Sequence, residues 1–263
     1  MNYVSDNYNI SRYIATINVA EGTYNESLNL ASYSASSGYI IILGQSDNVN
    51  IVSTNSNVVT IKYGLWFLQR LNIKLVLNDS IINSLAGNSF RYVVGVYDNG
   101  VFRNVGCHIE VDSQITKQTF QYNFYYVAVN AEGGTIRISA TAGRQPCIIL
   151  PDQVLWEAGS ICFFRLVSNS LFNASGSNIS QDEATLLCKG TCNWFIIISQ
   201  SSFTRTSSPA YRYIFSLFPG GTVSGARYNI NDGGKCVVAG GGAEYFPGTE
   251  AGTVDSSTYS FYA

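Results

Sequence analysis

The sequence predicts an all-β chain wound as a β-solenoid. Two observations carry this. Short runs alternate apolar with polar residues and favour β-branched side chains, which is the period of strands with one face buried. The alternating pairs also recur along the chain. Ile17 and Val19 are followed by Ile40 and Ile42, Val59 and Ile61, Val94 and Val96, Val127 and Val129, and Ile148 and Leu150. A second series keeps step with it: Leu28 and Leu30, Val49 and Ile51, Ile73 and Leu75, Ile109 and Val111, Ile136 and Ile138. No segment shows a sustained helical period.

A repeat of about 20 residues with two strands each is a solenoid signature, because one coil cannot bury its own apolar face and stacking joins inward residues into rows. A β-sandwich of separate sheets is the alternative. Two steps in the first series are long, from Val59 to Val94 and from Val94 to Val127. They predict insertions at one corner, over 78–89 and 112–123, and insertions in repeat proteins often make the binding face. Beyond Pro151 the register is weaker, with strands expected around Ile161–Phe163, Leu186–Cys188 and Phe195–Ile198. After Pro209, Tyr211, Tyr213, Phe215 and Leu217 share one strand face, and glycine then rises in Pro219-Gly220-Gly221, Gly233-Gly234 and Gly240-Gly241-Gly242. Such a thin tail buries its surface best against copies of itself, which predicts a C-terminal β trimerisation tail. The expected organisation is an N-terminal segment 1–13, a coiled body 14–205 and a glycine-rich oligomerisation region 206–263.

Composition narrows the function. Of 263 residues, 46% are hydrophobic and only 12% are charged, with a net charge of -2, so the chain folds and lacks the cationic surplus that nucleic-acid binding draws on. The longest apolar runs, Tyr39–Leu43 and Trp194–Ile198, fall far short of the ~20 residues of a spanning helix, so no membrane insertion is expected. The N-terminus has neither a basic start nor an apolar core, so no signal peptide is expected. The 6 cysteines are scattered around a single His, which predicts buried free thiols, no metal site and no cofactor.

The segment Ile17-Asn18-Val19-Ala20-Glu21-Gly22-Thr23-Tyr24-Asn25-Glu26-Ser27-Leu28 resembles the opening coil of pectate-lyase-like right-handed parallel β-helices. Gly240-Gly241-Gly242-Ala243-Glu244-Tyr245-Phe246-Pro247-Gly248-Thr249-Glu250-Ala251-Gly252, closing on Tyr259–Ala263, resembles the end of bacteriophage tail-fibre and tailspike chains. The resemblance implies a right-handed parallel β-helix, a homotrimer, a place in the virion and contact with a bacterial surface glycan. Residues 1–13 are too few for the particle-binding domain that tailspikes usually carry, so the chain is expected either to be a fragment or to attach to other virion proteins through an adaptor at the N-terminus.

If such a chain cuts its glycan, it needs two carboxylates in reach of one glycosidic bond. The local candidate is Cys107-His108-Ile109-Glu110-Val111-Asp112. With Ile109 and Val111 inward, His108, Glu110 and Asp112 point outward, residues two apart on a strand being ~7 Å apart. A plainer reading sets Glu110 in a charge ladder between Lys74 and Arg137, on the coils before and after. Phe120, Tyr122, Phe124 and Tyr126 alternate along one face where the second insertion re-enters the coil, and aromatic faces stack on sugar rings. Phe120, Tyr122, Tyr126 and His108 are therefore the candidate glycan contacts, and packing against the coil or a neighbouring chain is the alternative. The leading expectation is a virion fibre or spike that binds a surface polysaccharide without cutting it. A depolymerase using Glu110 and Asp112 and a structural decoration protein are the alternatives.

Overall fold

The computed structural model describes residues 14–31, 38–54, 57–79, 89–114, 124–139, 147–150, 160–167, 171–173, 184–188, 193–197, 202–204, 215–217, 227–238, 242–246 and 248–263, with side chains described over 14–31, 38–54, 57–79, 91–112, 114, 128–137, 227–238, 242–246 and 248–263. The alternating runs become strands in sets of three. The first set is β1 (Ile14–Val19), β2 (Gly22–Tyr24) and β3 (Leu28–Ala31), and the second is β4 (Tyr39–Gly44), β5 (Val49–Ser53) and β6 (Val59–Lys62). Then come β7 (Leu65–Gln69), β8 (Asn72–Asn78) and β9 (Ser89–Tyr97), followed by β10 (Val101–Val105), β11 (His108–Gln114) and β12 (Phe124–Glu132). The fifth set is β13 (Thr135–Ser139), β14 (Cys147–Leu150) and β15 (Ser160–Val167), and the sixth is β16 (Leu171–Asn173), β17 (Ala184–Cys188) and β18 (Asn193–Ile197). The chain ends with β19 (Ser202–Thr204), β20 (Phe215–Leu217) and β21 (Tyr228–Ile230), then β22 (Lys235–Val237), β23 (Thr253–Val254) and β24 (Phe261–Tyr262).

Members of each of the first seven sets enter three different sheets, and in the last β22 and β24 share one. Sheet A runs β1-β4-β7-β10-β13-β16-β19-β22-β24, sheet B runs β2-β5-β8-β11-β14-β17-β20, and sheet C holds β3, β6, β9, β12, β15, β18, β21 and β23 in that order. The pairs between sets are parallel throughout the described strands. The arrangement is all-β, built of stacked parallel strands, and consistent with a parallel β-helix.

The repeat differs from the expected one. It has three strands rather than two, and partners one coil apart lie 25 positions apart at Ile14↔Tyr39, 26 at Tyr39↔Leu65 and 36 at Leu65↔Val101. Each series read from the sequence drew from several sheets: Ile40 belongs to sheet A, Val59 to sheet C and Ile148 to sheet B. Alternation is the same in every sheet, so periodicity could not sort the strands. Within one sheet the expected register holds at some steps: Ile73 aligns with Ile109 in sheet B, and Val59 with Val94 in sheet C. At others it slips by two residues: Ile17 pairs with Ile42, Ile51 with Ile73, and Val94 with Val129.

Stacked identical faces make the core. In sheet A, Ile40, Trp66, Phe102 and Ile136 form one inward row, each at most 1% exposed. Sheet B contributes Ile51, Ile73 and Ile109, and sheet C contributes Val59, Val94 and Val129. Cys107 and Cys236 are buried free thiols, as expected. The passage from sheet C to sheet A is tight after β6, β9, β12 and β21. Tyr63-Gly64 and Asp98-Asn99 take positive φ, as do Gly133 and Asp232-Gly233, and successive turns are bonded to each other through Asn99 N–H to the Gly133 carbonyl and Val101 N–H to the Gly64 carbonyl, both at 2.8 Å. From the third set to the fifth the passage from B to C is long, whereas the later long connections over 174–183 and 205–214 pass from A to B. Both expected insertions fall in the passage from B to C, between β8 and β9 and between β11 and β12, so they do share one corner. Residues 80–88 and 115–123 themselves lie outside the described residues.

The C-terminal strands continue the stack. β19 pairs with β22 and β22 with β24 in sheet A, and β18, β21 and β23 follow one another in sheet C. The aromatic residues of this region close over the last coil of their own chain. Tyr228 and Tyr262 stack at 4.4 Å, Phe246 meets Tyr228, Tyr245 and Tyr262 edge-on, and Tyr262 Oη donates to the Gly242 carbonyl at 2.6 Å. Gly252 is required by this closure, since a Cβ there would sit 2.2 Å from the Tyr228 ring. Residues 211–214 lie outside the described residues.

Candidate functional site

The expected site begins on β11. Ile109 and Val111 are buried, so His108, Glu110 and Asp112 take the outer face of sheet B, as alternation requires. Parallel pairing sets Glu110 beside Lys74 and Asp112 beside Val76. The Lys74 ammonium reaches both acids, at 3.0 Å from Glu110 Oε2 and 3.8 Å from Asp112 Oδ2. All three side chains are about a third exposed, at 34%, 30% and 38% for Lys74, Glu110 and Asp112. The two carboxylate oxygens can be no further apart than those two distances laid end to end, which admits the ~5–5.5 Å separation of retaining glycosidases and only the lower edge of the ~6.5–9.5 Å of inverting ones. The lysine they share makes the trio an ion network carrying one net negative charge.

One member of the expected ladder is misplaced. Glu110 is followed in sheet B by Ile149, while Arg137 stands on β13 in sheet A beside Arg103. The reason is again shared alternation: Ile136 and Ile138 repeat the pattern of Ile109 and Val111 on a different sheet. His108 aligns with Asn72, which bonds to Asn50 Oδ1 at 3.0 Å and to the Asp47 carbonyl at 2.8 Å, so the neighbouring outer row is an amide ladder. Phe120 and Tyr122 lie outside the described residues. Phe124 and Tyr126 lie on β12 in sheet C, across the long corner from β11, with their side chains outside the described ones.

Two aromatic groups on outer faces were not found from the sequence. On sheet C, Tyr92 and Tyr97 close over Gly95 with ring centroids 6.0 Å apart, and a Cβ on Gly95 would sit 2.7 Å from the Tyr97 ring. Burial pushes the Tyr97 phenol well above its ordinary value, and its bond to Tyr92 adds to that. Lys62 Nζ lies 5.9 Å from the Tyr97 centroid and 3.9 Å from Asp98. On sheet A, the Tyr39 and Phe67 rings are 4.5 Å apart and the Arg103 guanidinium lies 5.0 Å from the Phe67 centroid. Tyr39, Phe67 and Arg103 lie on successive strands of sheet A, and Lys62 reaches Tyr97 from the neighbouring strand, so only the three-strand period would have brought these together on paper, whereas Tyr92 and Tyr97 share β9.

No protein-family model, no curated protein and no solved structure matches this chain.

Proposed function

We propose that this chain is a bacteriophage fibre or spike protein, a right-handed parallel β-helix that binds a bacterial surface polysaccharide as a homotrimer. The observation that carries the reading is three successive long connections at one corner of the stack. The connections from β8 to β9, β11 to β12 and β14 to β15 all pass from sheet B to sheet C. A stack with tight turns at another corner and long ones here can vary a binding face without disturbing its core. The tail-fibre resemblance of 240–263 supports the virion assignment, and binding in threes would raise avidity without new contacts. At the C-terminal end Tyr259 is 89% exposed, Phe261 42% and Val254 37%, and these apolar groups are the surface on which chains would meet.

The test is adsorption of the purified chain to bacteria of differing surface glycans, before and after periodate cleavage of sugar diols. The expected result is adsorption to some strains, lost after periodate, by a species sedimenting at three times the chain mass. Adsorption that survives periodate, or none to any strain, would point to the structural-decoration alternative.

A further inference from the structure

The outer face of sheet A differs from that of sheet B. On sheet B the outward positions hold Asn50, Asn72, His108, Lys74, Glu110 and Asp112. On sheet A, alternation turns Ile41, Phe67 and Arg103 outward on one register row, because Ile42, Leu68, Phe102 and Asn104 are each at most 1% exposed and point in. The next residue on that row is Arg137, which is exposed. Apolar Leu65 and Val101 flank the row on a neighbouring one.

Arg103 and Arg137 are direct register partners on adjacent parallel strands, ~4.8 Å apart at the backbone. Like charges at such a position repel. An anion held between two guanidinium forks reverses the sign of that interaction, and each fork matches a carboxylate in two-point fashion. The Arg103 guanidinium is already ordered over the Phe67 ring, so less side-chain freedom is lost when it binds. The flanking aliphatic and aromatic surface suits the C–H face of a sugar ring. Symmetric contact with a second copy through this face would gather further arginines of the same sign, which charge disfavours.

We propose that the outer face of sheet A binds a carboxylated polysaccharide, with Arg103 and Arg137 holding the sugar carboxylate and Phe67 holding Arg103. This rests on the glycan-binding reading above and places a contact surface on a face separate from the long corner. The chain is acidic as a whole, with a net charge of -2, but this face is locally cationic.

The experiment is equilibrium binding of the full chain to polygalacturonate, with dextran and inorganic polyphosphate as comparisons. Dextran is expected to bind at least tenfold more weakly than polygalacturonate. The double variant Arg103→Gln, Arg137→Gln is expected to lose at least tenfold in affinity for polygalacturonate. Arg137→Gln alone, at an exposed position that the core does not use, should lose part of it while melting as the parent does. Lys235→Gln, farther along the same sheet, should lose little. Equal loss in Lys235→Gln would make the effect one of net charge and overturn the site. Polyphosphate binding as tightly as polygalacturonate would overturn the carboxylate assignment. A change in sedimentation without a change in affinity would make the face an interface between copies and overturn the proposal. Cell adsorption that is sensitive to periodate but unaffected in the double variant would remove this site and leave the glycan-binding reading standing.

Discussion

Gly44→Val is expected to lower folding stability by about 3 kcal/mol or more, read as a large fall in the thermal midpoint. Gly44 ends β4 and pairs with Val19. The next coil turns from sheet A to sheet B directly over it. A Cβ at Gly44 would lie 2.2 Å from the Arg70 carbonyl oxygen and 3.1 Å from its carbon. These are backbone atoms, so no rotamer change relieves the contact. Arg70 has little room to yield, because it holds φ 56, its N–H donates to the Val105 carbonyl, and its guanidinium is paired with Asp47. Moving the turn therefore strains bonds to the coils on both sides. Gly44→Ala should show the same effect in smaller measure. An unchanged midpoint in Gly44→Val would mean that the Arg70 turn does not lie where the stacking puts it.

Phe246→Ala is the second large effect, with an expected loss of about 3–5 kcal/mol in the unfolding of the C-terminal end. Phe246 is fully buried and meets three tyrosine rings of its own chain. Those rings cover the last coil, where Cys236 and Val238 are also fully buried. The end of a stacked solenoid needs a cover, because its final coil has no next coil to bury it. Removing the phenyl ring leaves a cavity under that cover. The expected observation is faster amide exchange and earlier proteolysis around 227–263 than in the coils before it. Exchange as slow as in the parent would show that this region is held by something other than its own aromatic closure.

The inward face of strands such as β8 and β11 was legible in the sequence because burial follows a period of two, and Ile73 and Ile109 aligned as expected. So did the pairing of Lys74 with Glu110, which follows from that register. The number of strands per coil was not legible. β2 and β3 are only three and four residues long, and a strand that short carries too few alternations to separate it from a turn. That missing strand moved Arg137 to the wrong sheet and hid its pairing with Arg103. The outer face of sheet A was hidden for a different reason. In Tyr39-Ile40-Ile41-Ile42-Leu43 every side chain is apolar, so composition alone does not say which ones face out. In the glycine-rich tail the packing of Tyr228 on Tyr262 was not legible, because it needs Gly252 to let the chain approach Tyr228 from 24 residues away.

Binding without cleavage is tested by size-exclusion chromatography of polysaccharide from an adsorbing strain, incubated for hours with the purified protein. If the proposed function holds, protein elutes with the polysaccharide and the chain length stays unchanged, with a Glu110→Gln, Asp112→Asn variant behaving as the parent does. Progressive shortening by the parent that the variant abolishes would overturn the proposal and make the Lys74–Glu110–Asp112 trio the centre of a depolymerase.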